Sequence, residues 1–260
     1  MKARISLEIP NYDIFDFHRH VSIMEEFEKN ITKFNIKRFC LMPSMLEDDF
    51  NDLEAYIEKT TPYIQKYGER AIIFGFIDFS LNADQNKELL TEQKKKINIR
   101  GIKIHPEQAF NINRKSLDPF FRAIADILGY IPIYIHMDWP LLEENGYAPQ
   151  GKKKTFNRIV SFFPEFNFIM GHAGGSGDYL NVWKSCKKYP NVYIETSMAP
   201  VTSTLSEVVW NVGTEKLLFG SNYPYCGTSV EIVKILNMYK VSEKEKRAIL
   251  ESNWEGLFLP

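Results

Sequence analysis

Along its whole length the chain alternates between short runs of consecutive apolar, β-branched or aromatic residues and longer stretches whose apolar positions recur every three or four residues. The short runs read as buried strands, and the stretches between them as one-faced helices. Eight runs stand out: 12–20 (YDIFDFHRH), 36–43 (IKRFCLMP), 71–78 (AIIFGFID), 101–106 (GIKIHP), 131–138 (IPIYIHMD), 166–175 (FNFIMGHAGG), 191–197 (NVYIETS) and 217–225 (LLFGSNYPY). They recur about every thirty residues, the length of a strand plus its crossover helix.

The intervening stretches carry single stripes. In 22–35, Ile23, Phe27, Ile31 and Phe34 fall on one helical face. In 116–129, Leu117, Phe121, Ile124 and Leu128 form another, with Gly129 where the helix should stop. Ser242 and Glu245 have the spacing of a capping box at the start of the last helical region. Eight alternations without a low-complexity linker or a break in composition predict one α/β domain over 1–260, a single (β/α)8 TIM barrel. No GxGxxG follows any run, which removes the main support for an open dinucleotide-binding sheet.

Composition narrows the partners. A formal net charge of -1 leaves no basic surface for nucleic acid, and Lys152, Lys153 and Lys154 read as a solvated run. No window reaches the ~18 uncharged apolar residues of a membrane span, and the amino terminus has no apolar run of signal length, so the expected location is cytoplasmic. Cys40, Cys186 and Cys226 are odd in number and far apart, as reduced thiols are. Phe162, Phe163 and Trp183, on outer helices, suit a homodimer. Segments 40–56 and 138–154 read as the longest loops, and they carry no recognisable substrate code.

The histidines carry the chemistry. All five, His18, His20, His105, His136 and His172, fall at the carboxyl ends of predicted strands, where barrel enzymes place their active sites. His18 and His20 are two apart on a strand and share a side, with Asp16 on that side one layer lower and Arg19 pointing away. His136 and Asp138 are related in the same way, as are Lys103 and His105. Read from the residues, His18, His20 and His136 bind one divalent ion, zinc by ligand type, with manganese, iron or cobalt as alternatives. Such an ion activates water or polarises a carbonyl or carboxylate. For Lys103 a salt bridge to Asp16 or Glu195 is favoured over a metal-bridging carbamate. Glu195 faces either the lumen or the helix layer, and Trp139 and Tyr147 either wall the site or cover the barrel mouth.

Taken together, HRH (18–20), GIKIHP (101–106), YIH ending at His136, GHAGG (171–175), NVYIETS (191–197), FGSNYP (219–224) and the closing NWEGLF (253–258) resemble the amidohydrolase superfamily. The resemblance is to its compact hydrolases and decarboxylases related to aminocarboxymuconate semialdehyde decarboxylase. Each motif is weak alone; their order and spacing make the resemblance specific. It implies that His18, His20 and His136 are metal ligands and that His172 orients or deprotonates a water beside the metal. It also implies that Lys103 and His105 lie near a small anionic substrate.

The departure is Asn222, which stands where the family's motif has a metal-binding aspartate that usually serves as general base. An amide oxygen can coordinate a hard cation but cannot accept a proton at neutral pH. Three readings stay open: His172 is the base, Asn222 is a weak fourth ligand to an imidazole-held metal, or turnover is lost. The expected function is a metal-dependent hydrolase of a small carboxylated or carbonyl-containing metabolite. A non-oxidative decarboxylase, a metal-independent lactonase and a binding barrel are the alternatives.

Overall fold

The eight apolar runs become eight strands in the computed structural model, which describes residues 11–44, 52–106, 112–137, 152–175 and 179–258. They are β1 (Ile14–Arg19), β2 (Ile36–Leu41), β3 (Ala71–Phe76), β4 (Gly101–Ile104), β5 (Ile133–Ile135), β6 (Phe168–Met170), β7 (Val192–Glu195) and β8 (Leu217–Leu218). Each pairs in parallel with its sequence neighbours. β8 returns to β1 through Phe17 N–H to Phe219 O (2.7 Å), Asn222 N–H to His18 O (2.7 Å) and His20 N–H to Tyr223 O (2.8 Å). The sheet is thereby a barrel.

Around it run α1 (Met24–Lys33), α2 (Leu53–Tyr67), α3 (Ala83–Ile97), α4 (Arg114–Leu128), α5 (Lys152–Phe162), α6 (Trp183–Lys188), α7 (Thr202–Val212), α8 (Thr228–Leu236), α9 (Glu243–Glu251) and α10 (Glu255–Phe258). Local chemistry sets several of the ends. The capping box of Ser242 and Glu245 starts α9, and boxes at Asn82/Gln85 and Asn113/Ser116 start α3 and α4. Gly129, at φ 76°, ends α4, with its N–H on Ala125 O. Ile23, expected in the apolar stripe of α1, is instead its N-cap and is 68 % exposed, while Phe27, Ile31 and Phe34 are buried as expected.

The core divides in two because strand side chains alternate. One set, including Ile14, Phe39, Ile73 and Ile133, packs against helix residues such as Phe27, Leu90 and Phe121. The other, Phe15, Phe17, Cys40, Met42, Ile72, Phe74, Tyr134, Ile169 and Leu218, fills the barrel itself. The carboxyl-terminal segment closes the amino end of the barrel, where Trp254 stacks on Phe15 at 4.2 Å and Phe258 packs on Phe17 at 5.9 Å. The histidines stand at the opposite end.

Some expectations need correction. Phe163 is not a surface residue available to a second copy, since it is buried and stacks flat on Phe121 at 3.9 Å. Phe162 and Trp183 are half-buried against the same core. Segment 40–56 is not one long loop: Cys40 and Leu41 end β2, and α2 begins at Leu53. The remainder of that loop, residues 45–51, and Asp138, Trp139 and Tyr147 lie outside the described residues. Among the described residues, no helix is long and apolar enough to cross a membrane. Cys40, Cys186 and Cys226 are free thiols.

Candidate metal centre

Strand β1 delivers two imidazoles to the barrel mouth through an irregularity. Asp16 pairs with Phe39 and Arg19 with Leu41, so three steps on β1 match two on β2 and one residue is extra. The bulge turns both Phe17 and His18 inward. It also places Asp16 on the outer face, which corrects the expectation that Asp16 shares the side of His18 and His20. There Asp16 Oδ2 accepts from buried Arg19 (2.8 Å), whose guanidinium lies 4.6 Å from the ring centres of both Phe27 and Tyr223. Asp16 Oδ1 accepts the Ser221 N–H at 2.8 Å and so ties β1 to the end of β8.

Within the mouth, proton positions follow from the partners. His20 Nδ1 lies 2.9 Å from Met42 O, which can only accept, so in neutral His20 the proton is on Nδ1 and Nε2 presents a lone pair. His18 Nδ1 faces the Tyr134 hydroxyl at 2.9 Å and Glu195 Oε2 at 3.3 Å, and Tyr134 donates to Glu195 at 2.9 Å. His18 Nδ1 is therefore the donor, and its Nε2 is also a lone pair. The two Nε2 atoms are 3.0 Å apart, and Asn222 Oδ1 stands 3.1 Å from His20 Nε2. Burial first, then the Lys103 ammonium, pushes the pKa values of His18 and His20 well below the ordinary imidazole value, keeping both neutral.

Three acceptors thus converge with no proton of their own to share, and the pair His20 Nε2 and Asn222 Oδ1 repels itself unless a cation joins it. Ligands held about 2.1 Å from an ion and at right angles are about 3 Å apart, so the spacing fits a divalent metal. A cation already stands against one of these lone pairs: Lys103 Nζ donates to His18 Nε2 at 3.2 Å. The expected salt bridge from Lys103 to Asp16 is ruled out by the position of Asp16 across the sheet.

The sequence left the direction of Glu195 open; it faces the lumen and is completely buried. Its carboxylate accepts from Tyr134, from Ser197 Oγ (3.0 Å) and from the backbone N–H groups of His172 (3.2 Å) and Ser197 (2.5 Å). One atom each from His18, His172 and Glu195 also lie within 4.8 Å of one another, a second grouping able to hold an ion. The donors crowding Glu195 make that grouping a hydrogen-bonded support for the imidazoles instead.

His172 follows β6 in a tight turn at φ 53°. Its Nδ1 lies 2.9 Å from Ser197 Oγ, which in turn donates to Glu195, so His172 Nδ1 is the donor and Nε2 the acceptor. That Nε2 meets His136 Nδ1 at 3.2 Å, and His105 stacks on His136 at 4.6 Å. Burial lowers the pKa of His105 and His172 as well. All five histidines therefore form one cluster in two parts: His18 and His20 with Asn222, and His136 with His172 and His105.

Sequence reasoning missed Tyr134 and Ser197. Tyr134 was legible, since it precedes His136 by two and shares its face. Two glycines make room for these contacts: a Cβ on Gly171 would lie 2.4 Å from Tyr134 Oη, and one on Gly220 2.2 Å from Glu195 Oε1.

The structure is thus a parallel barrel with a buried histidine cluster at the carboxyl ends of its strands. The amidohydrolase family model matches residues 64–258, and the chain belongs to that family. The match begins after the HRH motif. No curated protein matches the chain.

Solved structures share the fold at low identity. A dihydroxybenzoic acid decarboxylase from Polaromonas sp. JS666, with bound manganese and the inhibitor 2-nitroresorcinol, is 14 % identical over 95 % of this chain and 97 % of its own, with a TM-score of 0.72. The 2,6-dihydroxybenzoate decarboxylase from Rhizobium is 16 % identical over 94 % and 97 %, with a TM-score of 0.70. A 5-carboxyvanillate decarboxylase from Novosphingobium aromaticivorans, complexed with manganese and 4-hydroxy-3-methoxy-5-nitrobenzoic acid, is 17 % identical over 90 % and 79 %, with a TM-score of 0.67.

Proposed function

We propose that the protein is a metal-dependent, non-oxidative decarboxylase of a small carboxylic acid, with hydroxylated benzoates as the first class to test. The observation that carries this reading is the all-neutral acceptor set, His18 Nε2, His20 Nε2 and Asn222 Oδ1, at 3.0 and 3.1 Å spacings. It suits a divalent ion but has an amide where hydrolysis by the family's usual route needs a base. His18, His20 and Asn222 would hold the ion, with His136 joining from the other half of the cluster. Imidazole favours zinc and an amide oxygen favours manganese, which the similar decarboxylases carry.

Decarboxylation places different demands on the protein. A bound cation supplies charge that anchors the oxygen atoms of the substrate. Lys103 adds a second positive charge beside it and holds an anionic substrate against the cluster. The C–C bond breaks, carbon dioxide leaves, and the electron pair left on carbon takes a proton, delivered through the Lys103 ammonium and replaced from solvent. No group has to deprotonate water.

Hydrolysis, which the sequence put first, is the second reading. It is favoured by His172 Nε2, an acceptor able to take a proton. The full chain loaded with manganese or zinc and given hydroxybenzoates alongside lactones and esters separates the two. Release of carbon dioxide that is lost on chelation, and that falls in Asn222→Asp, is expected. Hydrolysis without carbon dioxide, rising sharply in Asn222→Asp, would overturn the decarboxylase reading.

A further inference from the structure

A carboxylate offers the same oxygen on both sides, whereas an amide has an accepting end and a donating end that half a turn of the side chain exchanges. In Asn222 that exchange would aim Nδ2 at the lone pair of His20 Nε2 and replace a metal ligand with a hydrogen-bond donor. The backbone of Asn222 is already pinned, with its N–H on His18 O (2.7 Å) and its carbonyl accepting from Cys226 N (3.2 Å). What remains to be fixed is the amide itself, and its Nδ2 donates to Met198 Sδ at 3.1 Å.

Met198 is itself held in place by a carboxylate. It follows β7 in the left-handed region at φ 55°, and its N–H donates to Glu231 Oε2 at 3.2 Å. Glu231 reaches across from α8, is 3 % exposed and pairs with Lys234, whose Nζ also donates to Ala199 O at 3.3 Å. A partly buried ion pair on one helix thereby fixes two consecutive residues of the turn beside the candidate metal centre.

We propose that Met198 is a positioning residue for metal binding: its thioether, on a backbone that Glu231 holds in place, accepts an amide N–H of Asn222 and keeps Oδ1 turned toward His20. The proposal rests on the metal-site reading above. A thioether suits the task because sulfur accepts weakly and does not compete with the imidazoles for the ion. Asn222 thereby acts as a directed ligand, which an aspartate would be without assistance.

The test is a double-mutant cycle on metal affinity, using calorimetric titration of Mn2+ into the metal-free full chain. Met198→Leu keeps the apolar volume and removes the acceptor, and should weaken Mn2+ binding about tenfold, the usual effect of losing a partner that orients a ligand. Met198→Gln, which returns an acceptor oxygen to the amide, should restore most of the affinity. In an Asn222→Asp background, Met198→Leu should change nothing, because a symmetric carboxylate needs no orienting.

Equal Mn2+ affinity in wild type and Met198→Leu would overturn the proposal and leave the metal site standing. An equal loss in both backgrounds would also overturn it, showing that Met198 acts by packing. If the wild-type chain takes up neither Mn2+ nor Zn2+, the metal-site reading fails and the proposal with it.

Discussion

His20 Nε2 and Asn222 Oδ1 stand 3.1 Å apart, two acceptors turned toward each other inside a barrel, with the proton of His20 held on its far side by Met42 O. A divalent ion converts that repulsion into coordination, so binding should stabilise the fold. At a free ion concentration of one hundred times Kd the gain is about 2.7 kcal/mol, read as a rise in the thermal midpoint. His20→Ala should abolish the rise. An undiminished rise in that variant would place the ion elsewhere.

Acid should weaken the protein before neutral or mildly basic pH does. His18, His20, His105 and His172 all have pKa values lowered in the folded state by burial, from an ordinary value of 6.5. Below pH 6.5 the unfolded chain takes up protons that the folded chain refuses, so stability falls as pH falls through that window. Each such histidine contributes about 1.4 kcal/mol per pH unit. Glu231, pushed up to about 7 chiefly by burial, works in the opposite sense, as does the raised Asp16, so the histidines prevail by number. Urea midpoints of the metal-free chain should drop between pH 6.5 and 5; a flat profile would show that the imidazoles protonate without cost.

Asp16→Ala should cost about 3–5 kcal/mol in urea unfolding, because it leaves the buried Arg19 guanidinium without its carboxylate. Asp16→Asn, which still offers an acceptor to Ser221 N–H, should cost less. Equal losses would mean that the charge is irrelevant and that packing alone holds β1 to β8.

The barrel was legible because eight apolar runs at regular spacing admit few other folds, and the period-two rule assigns each strand an inward and an outward face. The same rule failed at Asp16, where a bulge inserts one residue and shifts every side chain before it to the other face. Nothing in the string DFHRH marks that bulge. The anomaly at Asn222 was visible, but its meaning was not, because the orientation of an amide is set by Met198, a neighbour from another strand end. Phe163 was misassigned to the surface because its stacking partner Phe121 lies on a different helix, beyond the reach of local periodicity.

Gly220, two residues after β8, lies close against Glu195, and a Cβ there would also lie 2.9 Å from His18 Cβ. Gly220→Ala should displace the Glu195 carboxylate and cost about 1–3 kcal/mol of stability, with a parallel loss of metal affinity. Unchanged affinity at reduced stability would detach Glu195 from the ordering of His18.

Anomalous diffraction from crystals grown with manganese, recorded above and below its absorption edge, bears most directly on the site. A single peak within about 2.3 Å of His18 Nε2, His20 Nε2 and Asn222 Oδ1 is the predicted result. A peak among His18 Nδ1, His172 and Glu195, or none in the barrel mouth, would contradict it.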